Sequence, residues 1–165
     1  MIAVRLEAWS ERDRGLLARL VGDPAMMEHL GGPESAERIA DRQRRYEAAD
    51  SKQYRIVDGG TGQGIGWVGY WEREWLGDPV FEIGWSVLPA FQGRGAAGAA
   101  AAAAIEDARA QRSRQFLHAF PAVDNAPSNA ICAKLGFTLL GAREVEYPKG
   151  TLMSSNDWRL DLFGG

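Results

Sequence analysis

The fold of this chain is decided by one stretch, Val87-Leu88-Pro89-Ala90-Phe91-Gln92-Gly93-Arg94-Gly95-Ala96-Ala97. The run before it, residues 80–88, is almost entirely apolar, which predicts a central strand covered on both faces. The run after it, residues 96–111, is rich in alanine and predicts a helix. A glycine turn between a strand and a helix exposes the first helical amides and the positive end of the dipole. The stretch therefore predicts a phosphate or pyrophosphate site, although a turn that only packs the helix onto the sheet has the same pattern.

Apolar spacing on either side of this stretch predicts the remaining elements. Strands are expected at residues 4–9, 53–57, 65–71, 116–120, 137–147 and 156–162, and helices at 11–21, 34–49 and 127–135. The first strands form an antiparallel meander, and the strand–helix–strand segment that follows is a right-handed parallel crossover. A hairpin closes the chain. These expectations give an α/β (α+β) fold with a mixed sheet.

Composition argues against several classes of protein. The 165 residues include 19 lysines and arginines against 22 aspartates and glutamates, and a net charge of -3 does not suit a nucleic-acid partner. No apolar run approaches the roughly 20 residues of a membrane span, so no membrane partner is expected. The single cysteine, Cys132, excludes an internal disulfide and a thiolate zinc cluster. We therefore expect a cytoplasmic chain without a metal, folded as one domain over residues 1–165.

Residues 93–98 also match the dinucleotide-binding pattern G-x-G-x-x-G. That pattern normally follows the first strand of a βαβ unit directly, with an acidic residue at the end of the next strand. Here the strand lies past the middle of the chain, residues 89–92 intervene, and the next strand at 116–120 ends without an acid. A dinucleotide-dependent oxidoreductase is therefore the least favoured function.

Two motifs carry a family resemblance. Gln92-Gly93-Arg94-Gly95-Ala96-Ala97, preceded by Val87-Leu88-Pro89, resembles the Q/R-x-x-G-x-G/A acetyl-CoA motif of the GNAT N-acetyltransferases. Asn125-Ala126-Pro127-Ser128 and Lys134-Leu135-Gly136-Phe137 are similar to the N-x-x-S and K-L-G-F segments of that family. The loop near Asp23-Pro24 and the strand Glu82-Ile83-Gly84-Trp85 further resemble the branch that acetylates ribosomal-protein N-termini.

This resemblance implies a splayed sheet of about six to seven strands flanked by about four helices. Two strands, near residues 81–88 and 115–120, would part into a V that admits acetyl-CoA as co-substrate. Its pantetheine would lie along the first of these strands like an added strand, and its pyrophosphate would rest on the glycine turn. The residues implied to bind acetyl-CoA are Trp85, Ser86, Val87, Gln92, Gly93, Arg94, Gly95, Ala96, Ala97, Asn125 and Ser128.

Three residues are candidates for catalysis. Glu82 is the expected general base, because a carboxylate in a central strand is costly unless it is paired or useful, and partial burial raises its pKa. A structural glutamate bonded to an arginine or a backbone amide is the alternative. The family often has a tyrosine, as proton donor to the coenzyme thiolate, where this chain has Cys132. A packed cysteine is the alternative, with water, Tyr70 or Tyr147 as the acid. His118 suits a proton relay or a packed core position.

The acceptor site is expected around Trp71, Glu72 and Trp75, as an aromatic and acidic mouth for a cationic amine, with His29 in a loop that lines it. A core with a solvated loop at Glu72-Arg73-Glu74 is the alternative interpretation. The function implied is transfer of acetyl from acetyl-CoA to a primary amine, by direct attack in a ternary complex. The acceptor is a small-molecule amine or a peptide N-terminus. A non-catalytic acyl-CoA-binding module of the same fold stays open, as does a homodimer.

Overall fold

The first four strands form the antiparallel meander that the sequence predicts, and the crossover follows them. The protein is described by a computed structural model that covers residues 1–28, 30–146 and 149–164. Short 3₁₀ turns occupy Glu11–Asp13 and Pro89–Phe91. The elements in chain order are β1 (Val4–Ala8), α1 (Arg14–Val21), α2 (Ala36–Tyr46), β2 (Gln53–Asp58), β3 (Gly64–Trp75), β4 (Asp78–Val87), α3 (Ala96–Gln111), β5 (Phe116–Ala119), α4 (Ala126–Lys134), β6 (Thr138–Glu146) and β7 (Leu152–Asp161).

All seven strands belong to one mixed sheet. Their order is β1-β2-β3-β4-β5-β7-β6, and every neighbouring pair is antiparallel except β4 and β5. The parallel pair is joined by α3, which is the crossover expected from the sequence. The predicted fold class, a mixed sheet with about four helices, is confirmed. No helix within the described ranges is long and apolar enough to cross a membrane.

The alanine-rich helix α3 packs closely on one face of the sheet. Ala100, Ala101 and Ala104 are completely buried, and Ala96 at its start is 2% exposed. Small side chains let the helix backbone approach the strands, and alanine also has the highest helix propensity. The start of α3 is thereby fixed at the carboxyl end of β4.

The two faces of the sheet bury separate clusters. On the α3 face, Tyr70 and Phe81 meet edge to face with ring centroids 5.1 Å apart. On the other face, Trp67 stacks on Tyr46 of α2 at 5.5 Å, and Trp71 stacks on Trp67 at 6.2 Å. Residues of β3 therefore alternate between the α3 face and the opposite face, where α1 and α2 pack at one end.

The hairpin of β3 and β4 is longer than the sequence pattern predicts. The strand expected at residues 65–71 continues to Trp75, and β4 begins at Asp78. Leu76 and Gly77 form the two-residue turn, with φ angles of 52° and 87°. Positive φ at both central residues matches the right-handed twist of a hairpin, so the arms can extend to the turn. The expected loop at residues 72–74 is therefore a strand.

Candidate functional site

β4 and β5 pair over a very short length. Their register joins only Phe81 to Leu117 and Glu82 to His118. On its other side β5 pairs with β7 along all of its residues, so it diverges from β4 beyond Glu82. Among the described residues, no strand pairs with the β5-facing edge of residues 83–87. The backbone of β4 thus presents an unpaired edge to an extended ligand.

The turn that follows β4 exposes backbone amides. Gly93 and Gly95 have φ angles of 77° and 82°, a conformation that favours glycine, and α3 begins immediately after Gly95. Within the described ranges, no protein acceptor bonds the amides of Gly93, Arg94 or Gly95. Three free donors beside the positive end of a 16-residue helix fit an anionic group, so the turn suits a pyrophosphate.

Two side chains of this turn already have protein partners. Nε2 of Gln92 donates to the carbonyl oxygen of Val87 at 2.9 Å, which braces the end of β4. The guanidinium of Arg94 lies 5.7 Å from the ring centroid of Phe91, and its backbone carbonyl accepts from the amide of Ile2. The Gln92 side chain therefore stabilises the end of β4 through this hydrogen bond, while the exposed Arg94 lies on the turn itself.

The start of α4 is bonded to β4. Oδ1 of Asn125 caps the helix by accepting from the amide of Ser128 at 3.3 Å. Oγ of Ser128 accepts from Nε1 of Trp85, also at 3.3 Å. The structure thus brings Trp85 of β4 together with Asn125 and Ser128 at the start of α4. The sequence predicts all three as cofactor contacts.

Glu82 stands on β4 at the residue where β5 leaves it. Its side chain is 18% exposed and its Oε1 is 2.5 Å from Nη1 of Arg73 on β3. Burial raises the pKa of Glu82 above its ordinary value, and the Arg73 charge and hydrogen bond act in the opposite direction. Glu82 therefore has an arginine partner, as expected of a purely structural glutamate. It also has the raised pKa that a general base requires.

His118 is packed and bonded rather than free. It is 4% exposed, its ring stacks on Phe120 at 5.6 Å, and its Nδ1 lies 2.6 Å from Oδ1 of Asp157 on β7. Oδ2 of Asp157 accepts from Nε1 of Trp75 at 3.1 Å. His118 shares a register position with Glu82, so both side chains belong to the face opposite α3.

The family comparison is decided by one match. A family model described as an acetyltransferase (GNAT) domain matches residues 3–138, which is most of the chain. The chain belongs to the GNAT acetyltransferase family. The resemblance carried by the turn and the N-x-x-S and K-L-G-F segments is thereby confirmed at the level of the family.

Solved structures share the fold of this GNAT acetyltransferase. A GNAT-family acetyltransferase from Bacillus anthracis is 17% identical with a TM-score of 0.80, over 99% of this chain and 98% of that one. A protein from Salmonella typhimurium described as an acetyltransferase, solved with its cofactor acetyl-CoA, is 19% identical with a TM-score of 0.74, over 98% and 94%. Spermidine N-acetyltransferase from Vibrio cholerae, solved with CoA and spermine, is 18% identical with a TM-score of 0.77, over 97% and 96%.

Cys132 lies in the core of the acetyltransferase. Its side chain is fully buried, and burial raises the pKa of its thiol to about 12. A thiol of that pKa is a weak proton donor at neutral pH, and the packed-cysteine alternative describes this position. Tyr70, which the sequence left open as a proton donor, is buried on the α3 face and bonds Asp107. Tyr147, the other tyrosine left open, lies outside the described residues.

The expected acceptor residues of this GNAT enzyme do not all share a face. Trp71 pairs with Glu82 in register, and Trp75 has the same strand parity, so both stand on the Glu82 face. Glu72 stands on the other face, where its exposed carboxylate lies 3.2 Å from Arg114. The expected grouping of Glu72 with the two tryptophans is corrected, because residues 72–74 belong to a strand rather than a loop. His29 lies outside the described residues.

Three charged residues of this GNAT site were missed from the sequence. Arg73 bonds Glu82, Asp157 bonds His118, and Nε of Arg143 lies 3.5 Å from Oδ2 of Asp157. A carboxylate in a strand is costly unless it is paired or useful. This argument, applied to Glu82 from the sequence, would also have identified Asp157 as a candidate site residue. Arg73 could have been found because it lies midway between Trp71 and Trp75, and alternate residues of a strand share one face. In the described ranges, no group of three or more His, Cys, Asp or Glu residues is arranged to hold a metal ion.

Proposed function

We propose that this acetyltransferase moves the acetyl group of acetyl-CoA to a primary amine, by direct attack while both substrates are bound. One observation carries the proposal: a partly buried carboxylate, Glu82, lies where an unpaired strand edge opens toward a turn of free amides. Similarly folded proteins solved with acetyl-CoA and with CoA support it. We retain the expectation of one domain acting in the cytoplasm, and the ribosomal-protein branch stays a prediction.

The residues present fit acetyl-CoA at three places. The amides of Gly93–Gly95 and the first turn of α3 would receive the pyrophosphate. The unpaired edge of residues 83–87 would bond the pantetheine amides as an added strand does. Ser128 and Asn125 stand at the start of α4, with Trp85 bonded to Ser128. When bound, acetyl-CoA supplies an activated thioester.

The proposed reaction balances as follows. The amine nitrogen forms a bond to the carbonyl carbon of the acetyl group. The bond between that carbon and sulfur breaks, and the sulfur retains its electron pair. An acceptor that arrives as an ammonium ion gives one proton to Glu82 before attack, and Glu82 releases that proton to solvent. The nitrogen loses a second proton when the amide forms. One proton is returned to the sulfur, and we assign this step to water rather than to Cys132, because the thiol is buried and its pKa is raised.

Glu82 is assigned the role of general base on position and environment together. It lies on the face opposite α3, beside the divergence of β4 and β5. A carboxyl with a raised pKa holds a proton more firmly and is therefore a better base than an exposed carboxylate. Alignment of the two substrates supplies the larger share of the rate, since good positioning contributes roughly 7–11 kcal/mol.

The test is an assay of free-thiol release from acetyl-CoA with a panel of primary amines, including short peptides. We expect amine-dependent release and saturable binding of CoA measured by calorimetry. Saturable binding without turnover of any amine identifies the chain as a non-catalytic acyl-CoA-binding module. Absence of CoA binding, with stabilisation by a dinucleotide instead, overturns the proposal.

A further inference from the structure

The guanidinium group of Arg73 lies against two aromatic rings. Its guanidinium carbon lies 4.8 Å from the ring centroid of Trp75 and 4.9 Å from that of Phe120. The two rings meet each other at 4.8 Å, edge to face. Aromatic contacts of this kind stabilise a guanidinium cation without using the N–H donors at its edge.

Most of that edge is unused by the protein. Nη1 of Arg73 bonds Glu82, and in the described part of the chain no other acceptor bonds a nitrogen of Arg73. The side chain is 27% exposed, so these donors are accessible. A guanidinium with spare donors recognises a carboxylate through two parallel hydrogen bonds.

The surrounding face carries further positive charge. Arg143 lies against Asp157, and its side chain is 43% exposed. Arg159 lies 4.3 Å over the ring of Phe116, and none of the carboxylates in the described ranges forms an ion pair with it. Three arginines thus share the face with the two carboxylates of Glu82 and Asp157. Such a face does not favour a polycation.

We propose that Arg73 binds a carboxylate of the acceptor, so that the acceptor of this enzyme is a free amino acid or an amine with a carboxylate close to its nitrogen. The inference rests on the proposed function, because it places the acceptor nitrogen beside Glu82. Glu82 and Arg73 touch, so the ammonium and carboxylate of one small zwitterion can face both of them at once. The ion pair of the protein and the charges of the acceptor are then complementary.

The test compares each amino acid with its own carboxamide, and with spermidine as a polycation. Binding is measured by calorimetry in the presence of CoA, and kcat/KM is measured with acetyl-CoA. The variants are Arg73→Ala, Arg73→Lys and, as a matched control, Arg114→Ala, whose side chain is 28% exposed and stands on the opposite face. Because loss of Arg73 also affects Glu82 for every amine, the quantity compared is the acid-to-carboxamide ratio.

We expect wild-type protein to favour at least one amino acid over its carboxamide by roughly tenfold to a hundredfold. Arg73→Ala should bring that ratio close to one, Arg73→Lys should restore part of it, and Arg114→Ala should leave it unchanged. Equal treatment of acids and carboxamides by wild-type protein, preference for spermidine, or a ratio that survives Arg73→Ala overturns the inference. Amino-acid binding without turnover would contradict the proposed function but would leave the Arg73 site supported. Absence of amino-acid binding would contradict the Arg73 site.

Discussion

Nδ1 of His118 lies 2.6 Å from Oδ1 of Asp157, and the two residues are 4% and 0% exposed. The second carboxylate oxygen of Asp157 accepts from Nε1 of Trp75 and lies 3.5 Å from Nε of Arg143. One buried carboxylate therefore satisfies polar groups from three other strands of the sheet. Removing it leaves those groups without their partner, and the cost is largest for the buried His118.

Asp157→Ala should lower the free energy of unfolding by about 3 kcal/mol, because it leaves the buried His118 without its hydrogen-bond partner and Trp75 without its acceptor. Urea denaturation checks this value, with Asp161→Ala on the exposed end of the same strand as control. A double-mutant cycle with His118→Ala should give a coupling of about 1 kcal/mol or more. Additive effects of the two substitutions would show that the pair is not a unit.

Glu82→Gln should lower kcat by about 100-fold or more, because glutamine cannot accept the proton of the amine. In the wild-type enzyme kcat/KM should fall on the acid side as Glu82 becomes protonated. Burial raises the pKa of Glu82, so that fall should occur above the ordinary value of 4.5. Steady-state rates across pH check both points.

The control for this substitution is Glu72→Gln, which neutralises an exposed carboxylate on the opposite face of the hairpin. Its rates should stay within about twofold of the wild-type rates. An acid limb that persists unchanged in Glu82→Gln would remove Glu82 from the role of general base.

Gly93→Ala should lower stability by about 1–2 kcal/mol and weaken CoA binding, because alanine resists the φ of 77° at this turn. Gly15→Ala is the matched control. A methyl group meets nothing within 4 Å at either position, and Gly15 lies inside α1 with an ordinary helical backbone, away from the proposed cofactor site. Gly15→Ala should therefore stabilise the protein by about 0.5–1 kcal/mol and leave CoA binding intact. Calorimetry of CoA binding and thermal melting check both, and equal CoA affinity in the two variants would argue against the turn as the anion site.

Tyr54 and Tyr70 should make the protein less stable as the pH rises above about 10. Both hydroxyls donate to Oδ2 of Asp107. Burial and this carboxylate raise the pKa of Tyr54 to about 12 and also raise the pKa of Tyr70. The unfolded chain loses these protons near pH 10 while the folded chain retains them, so the contribution is complete below pH 10 and is lost on the alkaline side.

Denaturant midpoints at pH 9 and pH 11.5 check this expectation. The double variant Tyr54→Phe, Tyr70→Phe should show a smaller decrease between the two pH values than wild-type protein. An identical decrease in both would place the alkaline sensitivity elsewhere in the chain.

The central part of the fold was predictable from the sequence because its signals are local. The apolar run of β4, the glycine turn and the alanine-rich helix follow one another directly, and each pattern has few structural alternatives. The strand character of residues 72–74 was not predictable from Glu72-Arg73-Glu74 alone. It depends on pairing with residues 79–81 and on a turn at Leu76 that adopts positive φ although leucine rarely does.

The charged residues of the site were only partly predictable. Glu82 is conspicuous as a carboxylate in an apolar strand, and its position follows from alternation. The His118–Asp157 pair joins residues 39 apart in sequence, and it exists because β7 inserts between β5 and β6. That strand order is set by the packing of the whole chain, so periodicity along either strand alone does not reveal it.

The short pairing of β4 with β5 divides the sheet mechanically. One leaf contains β1 to β4 and the other contains β5, β7 and β6. The backbone pairing between them is limited to two register positions, and the α3 connection and side-chain contacts such as that of Trp75 with Asp157 supply the other links. A molecule that lies along the free edge of β4 adds non-covalent contacts across the boundary between β4 and β5, which is the seam between the two leaves. Occupancy of the opening should therefore slow hydrogen exchange along the seam and couple the leaves into one cooperative unit, so that substrate supply also regulates how long the protein survives in the cell.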